Sequence, residues 1–372
     1  MEVFNRFVLR PYGSPWLKVG LQHDQYTFDM TLSRPSVSRA PTILDVATAA
    51  GVSKSAVSRA LLGQGEVSDA TRERIQEAAA RLGYVANGMA RGLVSSRTNT
   101  IGAVLRDLTR PFYGQLLAGM QTGAEERGYQ VLTMSSAGEL ELPDALRTLR
   151  SLISLQVDGL AVASAQLSAE DIVPFIDRTP IVVSGRPEAT PGITSVYSDD
   201  AYGGQLIADR VLDFGHEHIA VAVVDRSYSL SQHTRGMAMV QRIRDRGQTA
   251  EIWAVGHDSE IGTAATHMLE KSTVTAFMGP TDGAAVDVME VLRLKGLSAP
   301  NDLTVTGYDA IGALAASFLG LTSYQVPVVE MGRASINLLV DQIEGTTPAE
   351  RSVALRGTLV EGRTAGPAMP RK

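Results

Sequence analysis

Two textures of hydrophobic spacing follow one another along this chain. Over residues 42–93 the apolar positions recur at helical intervals. Val46, Ala47 and Ala50 fall on one face of a first short helix, and Val57 and Leu61 face inward from a second. Thr42 stands where it can cap the first helix, with Asp45 three residues on as in a capping box. Gly51 ends that helix, because glycine tolerates the left-handed backbone of a tight turn. Ser53 caps the second helix. Ser68 can cap a third, which carries Ile75, Ala78, Ala79 and Leu82 as an apolar stripe and stops at Gly83. From Thr100 the texture changes. Short apolar runs at 101–105, 130–134, 159–163, 181–184, 219–223, 252–255, 275–278 and 303–307 read as strands. Amphipathic stretches such as 112–128, 145–155, 201–214, 234–247 and 283–296 lie between them. This alternation predicts parallel sheets covered on both faces, and the number of units fits two similar subdomains better than one sheet.

The first pattern is a helix-turn-helix, whose small inner residues let the helices cross closely. Such a motif puts the start of its second helix in the DNA major groove. Lys54, Ser55 and Arg59 are the exposed candidates for reading bases there, since lysine and arginine donate to guanine O6 and N7. Ser53 and Ser58 suit phosphates. The plain alternative is that Lys54 and Arg59 are solvated surface. Residues 87–93 form a short helical segment with Asn87 as its cap. Gly88 and Gly92 each cost such a helix roughly 1 kcal/mol, and a helix this short does not persist alone in water. A hinge that folds only on DNA fits that instability; a linker with a buried Leu93 is the alternative.

Ligands of open α/β sheets bind beyond the carboxyl ends of the strands. Asp107, Phe112, Ser135, Ser136, the run His233-Thr234-Arg235-Gly236, Asp282 and Asp309 fall at those ends. A carboxylate and a guanidinium suit a polyhydroxylated ligand through paired hydrogen bonds. Asp107, Asp282 and Asp309 could equally be helix caps and Phe112 core; for Asp282 the cap is the preferred reading.

Composition narrows the classes. The chain has 372 residues, room for two or three domains, and 44% hydrophobic content. It has no cysteine, which excludes disulfides and thiolate metal sites. No apolar run approaches the ~20 residues of a membrane span. The net charge of −6 does not suggest nucleic acid. Over residues 42–98, however, seven basic residues (Lys54, Arg59, Arg72, Arg74, Arg81, Arg91, Arg97) outnumber five acidic ones (Asp45, Glu66, Asp69, Glu73, Glu77). Dinucleotide fingerprint, P-loop and nucleophile elbow are all missing, so no motif favours an enzyme. The six histidines show no metal-ligand spacing, and His216 and His218 read as surface residues. Residues 1–40 have no clear period, and Glu2 at the front argues against a signal peptide. A translation start at Met30 is the favoured reading of that extension, a DNA-touching arm the alternative.

Taken together, Asp45-Val46-Ala47, Ala50-Gly51-Val52-Ser53, Val57-Ser58-Arg59, Val67-Ser68, Thr71-Arg72, Leu82-Gly83-Tyr84 and Asn87 carry a resemblance. The stretch 42–93 resembles the DNA-binding headpiece of the lactose-repressor (LacI/GalR) family. The later alternation resembles that family's periplasmic-binding-protein-like core, so the resemblance spans about 42–363. It implies an N-terminal all-α helix-turn-helix headpiece and an α/β core of two parallel-sheet subdomains. The corresponding division is 1–40 extension, 41–86 headpiece, 87–99 hinge, 100–363 effector-binding and dimerisation core, and 364–372 tail. It implies DNA contacts at Thr42, Ser53, Lys54, Ser55, Ser58, Arg59, Asn87, Ala90 and Leu93, with Lys54 and Ser55 discriminating operators. Leu93 would wedge between base pairs in the minor groove. Effector contacts are implied at Asp107, Phe112, Ser136, His233, Arg235, Thr281 and Asp309. The chain departs from the family pattern in several places. His233 stands where relatives have an arginine, so Arg235 is a second candidate for that role. Thr281 replaces a common asparagine, Ala86 a common proline, and Leu62 and Gly63 stand where many relatives are polar. Val326-Pro327 replaces a glutamine-proline pair. The chain is expected to cross between subdomains near Tyr197, near Gln325 and within 345–356. No leucine heptad closes the chain, so a dimer is expected. The implied function is a cytoplasmic, nucleoid-associated transcriptional repressor of double-stranded operator DNA, without cofactor, metal, membrane contact or enzymatic activity. A small molecule, a sugar or derivative, would control it. A transport-type binding protein is the competing reading.

Overall fold

The computed structural model describes residues 39–62, 67–85, 97–135, 141–346 and 351–368. The chain divides into two compact units, one ending at Val85 and one beginning at Ala86. The expectations for residues 1–38, for Gly63, for Ala86, Asn87, Ala90 and Leu93, and for Ser136 lie outside the described residues.

The first unit is three helices: α1 (Ile43–Ala50), α2 (Lys54–Leu62) and α3 (Asp69–Leu82). Val46, Val57 and Ile75 meet at its centre with no solvent exposure, and alanines 47, 50, 60, 78 and 79 fill in around them. The Asp45 carboxylate accepts from both Thr42 N and Thr42 Oγ1 at 2.7 Å, which starts α1. Gly51 and Gly83 take φ of 66° and 65°, the left-handed turns that stop α1 and α3. Ser53 Oγ accepts from Ala56 N at 3.2 Å at the start of α2. Arg72 Nη1 donates to Ala60 O at 3.1 Å and ties α3 to α2. Two expectations need correcting. Leu82 is 38% exposed, because Tyr84 rather than Leu82 packs on the end of this small core. Ser68 stands at the cap position of α3, but its hydroxyl pairs with Thr71 Oγ1 instead of a backbone amide.

The second unit has two parallel sheets. The first runs in the order β11-β5-β4-β3-β1-β2, from β1 (Thr100–Leu105), β2 (Gln130–Met134), β3 (Gly159–Ala163), β4 (Ile181–Ser184), β5 (Thr194–Ser198) and β11 (Ser352–Leu355). The second runs β7-β6-β8-β9, from β6 (His218–Val224), β7 (Thr249–Val255), β8 (Ala276–Met278) and β9 (Thr304–Thr306). A short antiparallel pair, β10 (Ser323–Gln325) and β12 (Thr358–Val360), accompanies the crossings. The helices are α4 (Pro111–Glu126), α5 (Leu142–Ser154), α6 (Ala169–Ile172), α7 (Asp200–Asp213), α8 (Leu230–Asp245), α9 (Ile261–Met268), α10 (Asp282–Leu294) and α11 (Val328–Ile343). The chain leaves the first sheet after β5, returns through α11, which packs on α4, and leaves again after β11. Apolar strands such as β3 and β4 are buried along their whole length, as a sheet covered on both faces requires.

The contact of α4 and α11 depends on glycine. A methyl group at Gly332 would abut the Leu116 carbonyl and lie 2.8 Å from Met120 N. Two further expectations fail here. His216 is 2% exposed rather than a surface residue. Its Nδ1 bonds Thr275 Oγ1 at 2.8 Å, and its Nε2 lies 3.0 Å from Thr304 Oγ1 and from Gly366 O. Residues 364–366 accordingly pack into the core instead of beginning a separate tail: Thr364 and Ala365 are buried, and beyond the exposed Pro367 the Ala368 N donates to Phe214 O.

Candidate functional site

In the first unit, Ser53, Lys54, Ser55 and Arg59 are exposed along the front of α2, and Ser58 is half-buried. Arg59 Nε donates to Ser55 O at 3.3 Å, which lays the side chain along the helix surface. Thr42 is engaged with Asp45 at the start of α1. The face presented by α2 is therefore cationic and rich in hydroxyl groups, the chemistry that phosphates and guanine edges accept.

In the second unit a cavity of about 370 Å³ opens where the carboxyl ends of the two sheets face one another. Of the expected effector residues, Phe112, Arg235, Thr281 and Asp309 line it. Asp107 and His233 do not, and this corrects the expectation. Asp107 accepts from Thr109 N and Oγ1 at 2.9 and 2.6 Å within its own turn. His233 Nδ1 bonds Val224 O at 2.9 Å. The reason for His233 is the helix start. α8 begins at Leu230, so residues 233–236 are in its first turns, and only Arg235 is directed to the cavity.

Arg235 is the organising group of the inner wall. It is 4% exposed. Its Nε donates to Asp200 Oδ1 at 3.0 Å, its Nη1 to Asp309 Oδ1 at 3.0 Å and to Pro280 O at 2.9 Å. Its guanidinium lies 3.9 Å from the centre of the Tyr308 ring. Asp200 reaches it because Gly203 and Gly204 let α7 approach closely; any side chain at Gly204 would meet the backbone of Arg235. Burial raises the pKa of Asp309 to about 7, against the lowering effect of Arg235. Asp309 also has φ of 107°, and Ala310 of 47°, left-handed values that L-residues rarely adopt. Asp282 holds this turn: Oδ2 accepts from Ala310 N at 2.7 Å and Oδ1 from Ser323 Oγ at 2.5 Å. Burial raises its pKa to about 6, with those hydrogen bonds opposing. Asp282 is thus not the cap of α10; that is Thr281, whose Oγ1 accepts from Ala284 N at 3.2 Å.

Several lining residues were not singled out from the sequence. Ser198 is 4% exposed and its hydroxyl has no hydrogen-bond partner among the described residues. Asp200, Arg106, Arg110, Tyr228, Gln232 and Asp258 also line the cavity. Asp258 follows β7 directly, so the rule that flagged Asp107 and Asp309 would have found it. Ser198 ends β5 and Asp200 lies just beyond it, and the β5 sequence Thr-Ser-Val-Tyr-Ser is too polar to read as a strand. Among the described residues no group of three or more His, Cys, Asp or Glu could hold a metal ion. No helix among them is long and apolar enough to cross a membrane.

The profile of bacterial regulatory proteins of the lacI family matches residues 42–87, and that of periplasmic binding protein-like domains matches 208–365. The chain is 31% identical over 329 residues to the HTH-type transcriptional regulator CelR of Thermobifida fusca, covering 83% of this chain and 94% of the relative. It is 28% identical over 312 residues to catabolite control protein A of Priestia megaterium, covering 82% and 93%. Its fold matches that of the lac repressor dimer bound to operator and an anti-inducer, with a TM-score of 0.76 at 22% identity over 88% of this chain and 100% of that one. A complex of the transcriptional regulator CelR with cellobiose superposes with a TM-score of 0.63 at 27% identity, over 87% and 99%.

Proposed function

Because the chain belongs to the lacI family of bacterial regulatory proteins, we propose that it is a homodimeric transcriptional repressor whose hold on operator DNA is controlled by a small polyhydroxylated effector. Two headpieces read a near-palindromic site. Lys54, Ser55 and Arg59 take the base edges, and Thr42, Ser53 and Ser58 the phosphates; by the family resemblance Asn87, Ala90 and Leu93 contact the minor groove. The effector lies between the subdomains against Phe112, Arg235, Thr281 and Asp309, with Asp200 and Ser198 added to that set. The observation that carries the effector reading is the inner wall of the cavity. Arg235 is held by two carboxylates, and Asp309 and the unpartnered Ser198 hydroxyl face the same space. Such a wall accepts hydrogen bonds from hydroxyl groups, while Phe112 adds an aromatic side chain to the lining for the apolar side of a sugar. The relative whose complex holds cellobiose supports a sugar-type ligand. Effector and operator are then coupled through the angle between subdomains, a coupling free energy that works equally in both directions.

Genome-wide footprinting with purified protein tests this, at a fixed salt concentration because phosphate contacts make affinity salt-dependent. A discrete palindromic footprint, weakened or strengthened by a sugar related to the neighbouring genes, is the expected result. Uniform, sequence-independent binding with every sugar inert would overturn the proposal.

A further inference from the structure

Several contacts that belong to neither sheet alone join the two subdomains across the mouth of the cavity. Arg106 Nη1 donates to Tyr228 O at 2.9 Å, and Ser231 Oγ donates to Gly185 O at 2.8 Å. The third contact is a fork. Arg110 Nη1 donates to Asp258 Oδ2 at 2.6 Å and Nη2 to Asp258 Oδ1 at 3.1 Å. Arg110 precedes α4 on the side of the first sheet, and Asp258 follows β7 on the side of the second. The Asp258 side chain is 6% exposed and that of Arg110 36%, so the pair stands where the cavity meets solvent. Both ends are braced. Tyr228 Oη and Gln232 Nε2 donate to Asp258 at 3.1 and 3.2 Å, and Asp107 Oδ2 lies 3.7 Å from Arg110 Nε.

The first two hydrogen bonds end on backbone carbonyls, although the Arg106 guanidinium also lies 4.4 Å from the centre of the Tyr228 ring. The fork needs both of its side chains, and its geometry is the paired, charge-assisted kind that is strong only when both partners are in register. It can form only while the subdomains are closed on each other. They are joined by three crossings of the chain, so a rotation that opens the mouth breaks the fork without breaking either sheet. We propose that Arg110 and Asp258 form a clasp that sets the balance between closed and open clefts, and through it the effector affinity of this chain. The second half of that statement rests on the effector reading above; the first half does not. A contact present in only one of two states shifts the population by its own differential free energy.

The chain has no cysteine, so two introduced ones are unique labelling points. Arg178→Cys and Lys271→Cys are exposed, one before β4 and one before β8, at the strand ends away from the cleft. Single-molecule energy transfer between dyes at these sites, in the full chain, reads the separation of the subdomains. Arg110→Ala is expected to raise the open-to-closed ratio about tenfold, the effect of losing one charge-assisted pair. The exchanged pair Arg110→Asp with Asp258→Arg is expected to return it toward the wild-type ratio. An unchanged histogram in Arg110→Ala overturns the clasp, and so does an exchanged pair that stays as open as the single variant, since Arg110 would then act through its own packing. Footprinting on the same preparations separates the two readings. Absent operator binding with a shifted histogram removes the regulator reading and leaves the clasp, and intact operator binding with an unmoved histogram does the reverse.

Discussion

Arg235→Met keeps the aliphatic stem of a 4% exposed side chain and removes its guanidinium. In the native protein that group satisfies Asp200 at 2.9 Å and Asp309 at 3.0 Å. Its removal strands the buried Asp200 and the largely buried Asp309, and breaking a buried ion pair in this way costs about 3–5 kcal/mol. The loss must depend on pH. Burial already holds the Asp309 pKa at about 7 with Arg235 opposing; without Arg235 it rises further. A carboxyl whose folded pKa lies above its unfolded value contributes stability below that unfolded value, about 4, and loses it as pH rises through the folded pKa. At about pH 5.5 the stranded Asp309 is protonated and neutral, so the penalty is partly relieved. At about pH 8 much more of it is charged. Urea unfolding followed by circular dichroism should give a loss of about 3–5 kcal/mol at the higher pH and roughly half of it at the lower. Asp309→Asn added to Arg235→Met should recover part of the loss at the higher pH. Equal losses at both pH values, with no recovery from Asp309→Asn, would refute the reasoning.

Gly332→Ala forces a methyl group against the Leu116 carbonyl and Met120 N, both backbone, so α4 and α11 must part. The overpacking cost of about 1–3 kcal/mol should outweigh the roughly 1 kcal/mol that alanine gains in a helix, and the urea midpoint should fall; a rise would mean the helices separate freely. Burial lowers the pKa of His216, with the bond to Gly366 O opposing. Its folded pKa is therefore below the ordinary value near 6.5, and stability should be lost as pH falls below about 6.5. His216→Gln should flatten that limb of the pH–stability curve, and an unchanged limb would assign it to other groups. Lys54→Ala should weaken operator binding about tenfold with little effect on unrelated DNA; an equal loss on both would make Lys54 a phosphate contact instead.

Much of the headpiece is legible in order along the chain, because its signals are local. Asp45 reaches Thr42 three residues back, Gly51 and Gly83 turn the backbone where they stand, and Val46, Val57 and Ile75 meet because helical spacing aligns them. The eight apolar strand runs are local in the same sense. β5, β10, β11 and β12 escaped notice because they are short or polar, and their neighbours in space, not their own side chains, make them strands. Leu82 misled for the opposite reason: its spacing is right, but Tyr84 occupies the end of the core.

The site divides along the same line. Strand ends pointed to Phe112, Arg235 and Asp309 and the family resemblance to Thr281, and the sequence alone determined the family, the two-part architecture and the kind of chemistry to expect. Only the tertiary structure decided that Arg235 and not His233 faces the cavity, that Arg110 reaches Asp258, that Asp282 braces a strained turn, and that His216 is buried against Gly366. The bonds responsible join residues 35, 74 and 148 positions apart, from Arg235 to Asp200, from Arg235 to Asp309 and from Arg110 to Asp258. Periodicity and capping act over one or two turns of chain. Which charges share a buried space is fixed by how helices and sheets pack, and no local pattern encodes that distance.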